Sequence, residues 1–137
     1  MKTFDELNAK LSGNENKSYW RQHPNGGGWI HKSAQVASTA FVGPDAIVWG
    51  KVSGEARVYG NARVYGGAWK RSPLFIIGSR DSLCNAKPGY LQIGCRCEKF
   101  RWWLGKKALK FAKENNYTPD EIKEYRAYVK LFVAVGK

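Results

Sequence analysis

Two histidines, His23 and His31, and three cysteines, Cys84, Cys95 and Cys97, are this chain's only residues with imidazole or thiol chemistry. Their spacing points away from a reactive site. Cys95 and Cys97 stand two apart in GYLQIGCRC, in phase with Leu91 and Ile93, so an extended backbone would turn all four to one packed side. With Cys84 they make no established metal spacing, and an odd number argues against a disulfide framework. Packed free thiols are the expectation. No GxxxxGK phosphate loop occurs. No catalytic residue, metal or cofactor is therefore expected.

The remaining chemistry is aromatic and cationic. Trp49, Arg57, Tyr59, Arg63 and Tyr65 cluster in one stretch, and Arg101, Trp102, Lys106 and Lys110 in another. Aromatic rings interleaved with cations suit interface hot spots and base-stacking platforms. These nine residues are the expected partner-binding set. The chain carries 23 basic and 11 acidic residues, a net charge of +12. The excess is uneven: residues 1–69 hold 8 basic and 5 acidic side chains, residues 70–137 hold 15 and 6. Such a field favours an anionic partner.

The elements that must position these residues begin with an alternation. From Ala34 to Ala68 every even-numbered residue is small or apolar, while odd positions carry the charges and the bulky rings, Trp69 included. One side of an extended chain is then buried and the other wet. A strand of ordinary length ends after about five or six residues, so the run must turn corners. A second period shows how: Val36, Val42 and Val48 are six apart, as are Val52, Val58 and Val64, with glycine and alanine between. A six-residue repeat of this kind points to a parallel β-helix. The short step from Val48 to Val52 reads as one tightened corner. Stacked coils would place Trp49 with Tyr65, Ile47 with Arg63, and Phe41 with Arg57, Tyr59 being near the last pair.

Outside the repeats, residues 3–11 predict a helix with Thr3 and Glu6 as a capping box. Residues 1–28 make an N-terminal helix and linker, 29–97 the β-helix, and 98–137 a helical cap, all in one globular unit. Within 70–97 the strand-like PLFIIGS and YLQIGCRC predict a third, irregular coil. Residues 98–114 show helical period with Trp103 on the apolar stripe and Trp102 off it. A second C-terminal helix starts at the Thr118-Pro119-Asp120-Glu121 capping box and runs to about Val135. Both helices are expected to cover the open end of the last coil.

The stretch Trp29–Trp69 resembles the left-handed β-helix of hexapeptide-repeat proteins. GGGWI followed by ARVYGNARVYG, with the tail SPLFIIGSR…GYLQIGCRC and YTPDEIKEY, is similar to small hexapeptide-repeat proteins of bacteriophage and prophage genomes. The resemblance spans residues 24 to 130. It implies a mainly β chain: a short left-handed parallel β-helix of two to three coils, capped by two C-terminal α-helices. Acyltransferases of that superfamily use a histidine base near the coil interface of a trimer. Here His23 and His31 precede the first full coil, and the repeats lack a protruding loop. A zinc site of three histidines, as in a carbonic-anhydrase-like β-helix family, is excluded by count.

Three functions follow as expectations. The first is a non-enzymatic phage-type binding protein that inhibits a host defence component, an anti-CRISPR or other anti-defence inhibitor, its partner a host protein or ribonucleoprotein complex. The second is a nucleic-acid-binding accessory protein. The third is a minimal acyltransferase. Homo-oligomerisation as a dimer or trimer is expected. With no membrane-length apolar stretch and no signal-peptide core, the expected location is the bacterial host cytoplasm without membrane contact.

Overall fold

The computed structural model describes residues 1–136, which form two compact units, Met1–Pro73 and a second from Leu74 onward. The first begins with helix α1 (Phe4–Lys10), whose start is fixed by the Thr3 hydroxyl accepting from the Glu6 N–H. The capping box is half made. The Glu6 carboxylate turns instead to the Lys2 N–H at 2.7 Å.

Nine short strands follow: β1 (Trp20–Gln22), β2 (Trp29–His31), β3 (Gln35–Val36), β4 (Phe41–Val42), β5 (Ile47–Val48), β6 (Lys51–Val52), β7 (Arg57–Val58), β8 (Arg63–Val64) and β9 (Ala68–Trp69). They pair as β1-β2-β5-β8, β3-β6-β9 and β4-β7. All these ladders are parallel except β1 on β2. The hexad valines meet directly, Val48 opposite Val64 and Val42 opposite Val58. Val42, Val48, Val52, Val58 and Val64 are fully buried. Each contributes on the order of 1.5–3 kcal/mol of hydrophobic stabilisation.

The segment His23–Gly28 covers the free edge of β4 in the β4-β7 ladder. Val42 N–H donates to Asn25 O at 3.0 Å, Gly28 N–H donates to Val42 O at 2.9 Å, and the buried His23 imidazole donates from Nε2 to Ala40 O at 2.8 Å. The approach is so close that a Cβ on Gly26, where φ is +109°, would lie 2.2 Å from Val42 O.

At the end of the repeats the alternation fails in an informative way. Val52 pairs with Trp69, not with Ala68, and Trp69 is buried while Ala68 is exposed. Gly67, at φ +87°, supplies one extra residue in this corner and reverses the parity behind it. The tryptophan predicted outside is therefore inside, its Nε1 donating to Gly66 O at 2.8 Å.

The second unit is an antiparallel meander, β10 (Phe75–Ile77), β11 (Ser82–Lys87), β12 (Tyr90–Ile93) and β13 (Arg96–Lys99), followed by α2 (Phe100–Trp103), α3 (Lys106–Glu114) and α4 (Pro119–Val135). Two-residue turns reverse the chain. Pro88-Gly89, with Gly89 at φ +78°, fits a type II turn, and Gly94 at φ +57° before Cys95 fits type II′. The helices pack on this sheet around Leu83, Leu91, Ile93, Trp103, Ala108, Tyr125, Val129 and Phe132.

The expected left-handed β-helix of two to three coils, capped by two C-terminal helices, is thus corrected. The sheets are four and small: one mixed, two parallel and one antiparallel, accompanied by four α-helices among the described residues. Hexad spacing stops at Trp69. Beyond it, residues 70–97 build no third coil, because Pro-Gly and Gly-Cys turns permit only reversal and hence antiparallel pairing. The helix predicted over 98–114 breaks at Leu104-Gly105 into α2 and α3. The capping box of α4 forms in full, with Glu121 N–H to the Thr118 hydroxyl at 3.2 Å and Thr118 N–H to the Glu121 carboxylate at 3.0 Å. No helix among the described residues is long and apolar enough to cross a membrane.

Candidate functional site: a basic helical face and the cleft behind it

The nine residues expected to bind a partner fall five on the first unit and four on the second. On the first, parallel pairing does bring equivalents together. Trp49 and Tyr65 stack with ring centroids 5.0 Å apart, and Arg57 lies over the Phe41 ring at 5.1 Å with Tyr59 at 6.0 Å. Two of the five are occupied by the chain itself. Trp49 also meets Trp20 edge-on at 5.4 Å, beside the cluster of Leu7, Trp20, Trp29 and Ile47 under α1. The Arg63 guanidinium donates to Lys10 O at 3.1 Å. Arg57 and Tyr59 remain exposed. His31 is framed by Tyr19 and Trp20, and its Nδ1 accepts from the Ser33 N–H at 3.2 Å.

On the second unit, residues 99–113 carry six cations and no carboxylate: Lys99, Arg101, Lys106, Lys107, Lys110 and Lys113. All six are exposed. Lys110 reaches Glu114 at 3.8 Å across one turn; among the described residues the other five have no ion pair. Lys106 and Lys107 occupy the first turn of α3, whose cap, Gly105, offers no side-chain acceptor. The partial positive charge of a helix start disfavours cations there by about 0.3–1 kcal/mol each, and the same field attracts an anion. Trp102, predicted to be a contact residue, is half-buried. It packs on Trp103 and Phe111, and Arg96, which the sequence reading did not single out, lies 4.4 Å over its ring.

Behind this face lies a cleft of about 220 Å³. Its polar rim is built by turns that only folding brings together. Tyr125 is the hub: its hydroxyl donates to Asp81 O at 2.8 Å and accepts the Arg80 and Asp81 N–H groups at 3.0 and 2.5 Å. Gly78 is required beside it, since a Cβ would stand 2.4 Å from that hydroxyl. Arg80 caps the carbonyls of Asn115 and Asn116 at 2.5 and 2.9 Å and lies 4.3 Å over the Tyr117 ring. The Tyr117 hydroxyl donates to the Asp81 carboxylate. Burial first, then the Asp81 hydrogen bond and charge, push the Tyr117 phenol well above its ordinary range. Nearby, Ser79 donates to the Glu124 carboxylate from its hydroxyl at 2.5 Å and its N–H at 3.0 Å, holding that acid below its ordinary range.

No sequence signal marked Arg80, Asp81 or Tyr117, which lie in two turns 36 residues apart. Cys84 is buried and Cys97 half-buried as expected of packed thiols, but Cys95 is exposed at its turn. No cluster of three or more histidine, cysteine or acidic ligands occurs among the described residues. No family model, curated protein or solved structure matches the chain.

Proposed function

We propose that the protein acts by binding, and that its second unit engages the phosphate backbone of a nucleic acid through α2 and α3. The six exposed cations over residues 99–113, with no carboxylate among them, carry this reading. Its support is energetic as well as numerical, because two of those lysines sit where they weaken their own helix. Phosphate neutralised at that helix start would relieve the conflict. The narrower reading is that the nucleic acid belongs to a host defence ribonucleoprotein, which the protein inhibits by occupying it. The phage-type resemblance of the repeats supports that step.

The test is fluorescence anisotropy of a labelled 20-nucleotide RNA between 50 and 300 mM salt. Five or six phosphate contacts give a slope of log K against log salt of about −3.5 to −4.2 for a single strand. Affinity indifferent to salt overturns the reading.

A second reading is a host protein partner held by the Phe41–Arg57–Tyr59 patch of the first unit. It is favoured by the exposure of Tyr59, at 46%, beside an arginine. Capture from lysate after nuclease, lost on Tyr59→Ala, separates it from the first. We also infer self-association through α4, whose Leu131, Val133 and Val135 are exposed; sedimentation of the purified protein measures it.

A further inference from the structure

We propose that the cleft of the second unit is a binding site for a small aromatic carboxylate, separate from the basic face. Two helices form its walls. Ile122, Arg126 and Val129 are spaced to share one face of α4, and Ala108 and Ala112 sit one turn apart on α3. The two alanines are what leave the space open, since larger side chains at these places would close the helices over it.

The lining decides the ligand. Its floor is aliphatic and aromatic, with Trp103 and Phe111 presenting rings while the Trp103 Nε1 donates away to Leu91 O at 2.7 Å. An apolar cavity of about 150 Å³ accommodates benzene, so 220 Å³ takes one ring with a short side chain. The charged groups of the rim are mostly satisfied from within. Arg80 is held by two carbonyls and lies 3.6 Å from Glu121, and Asp81 receives the Tyr117 hydroxyl. Arg126 differs. It lines the cleft, is exposed, and has no carboxylate in ion-pair distance among the described residues. One unmatched cation above an apolar floor selects a ligand with an apolar body and a single anionic end.

The probes are 3-phenylpropionate and its neutral isostere 3-phenylpropanamide, titrated into the full-length protein and followed by amide chemical shifts. The acid should bind saturably at least tenfold tighter than the amide, with shifts centred on Ala108, Ala112 and Val129. Arg126→Gln should cut that preference below twofold while the amide binds as before. Ala112→Leu, which fills the cleft, should weaken both probes at least tenfold. Equal binding of acid and amide to the wild type, no saturable binding of either, or indifference to Ala112→Leu overturns the proposal. Loss of salt-dependent RNA binding leaves these outcomes untouched, so the two readings fail separately.

Discussion

Trp49 lies nearly flat on Tyr65, the ring planes 26° apart, because their strands pair in register with Ile47 opposite Arg63. Stacked rings add about 0.5–1.5 kcal/mol beyond the area they bury. Tyr65→Phe keeps the stack and should leave stability within about 0.5 kcal/mol of wild type. Tyr65→Ala should cost about 1–3 kcal/mol, read as a lower denaturation midpoint at unchanged slope.

Trp69 offers a sharper test. On the strict alternation it would be a surface residue, whose truncation costs little. Buried opposite Val52, it should cost about 3–5 kcal/mol on Trp69→Ala. A midpoint shift under 1 kcal/mol would contradict the inward placement. Gly67→Ala should also destabilise, by about 1 kcal/mol, since φ +87° strains any side chain.

Alkaline pH should single out Tyr117. Its raised pKa means the folded protein retains a proton that the unfolded chain releases near pH 10. The contribution is therefore complete below pH 10 and is lost as pH climbs past it. Tyr128 is also raised, through its hydrogen bond to Glu124. In a titration at 295 nm Tyr117 and Tyr128 should ionise above the ordinary tyrosine range. Tyr117→Phe should flatten the fall of stability above pH 10; an unchanged alkaline limb would refute the assignment.

Acid pH should act through Glu124. Its pKa is lowered by hydrogen bonds from Ser79 first and Tyr128 next, so its contribution holds above the ordinary glutamate value and fades as pH falls through the lower, folded one. Glu124→Gln should make the thermal midpoint less sensitive to pH between about 3 and 5.

On the basic face, Lys106→Ala and Lys110→Ala should each flatten the salt slope of RNA binding by about 0.7. Arg57→Ala, on the other unit, should leave that slope unchanged. The reverse pattern would move the nucleic-acid surface to the first unit.

The parallel pairings were legible because small inward residues at fixed spacing leave few registers that bury them all. Val42 with Val58 and Val48 with Val64 follow from that spacing alone. Gly67 was not legible, since one added residue is compatible with either a wider corner or a parity change, and only packing around Trp69 decides. The meander was misread for a related reason: Phe75–Ile77 and Tyr90–Ile93 carry apolar runs that fit a parallel or an antiparallel strand equally. What separates the two cases is the tight turn at Pro88-Gly89, which reverses the chain between β11 and β12. Of the six cations on the basic face, Arg101, Lys106 and Lys110 stood in the expected set, whereas Lys99, Lys107 and Lys113 did not. The cleft could not be foreseen, because Arg80, Asp81, Tyr117 and Arg126 converge only when two turns and two helices meet.

The covering of the β4 edge by His23–Gly28 also bears on the order of events during synthesis. The segment that seals the β4 edge leaves the ribosome before β4 itself. A nascent chain thus carries the stopper ahead of the strand it protects. Strands β5 to β9 each pair with a strand made earlier, so assembly can proceed in the direction of translation with the β4 edge shielded from neighbouring polypeptides.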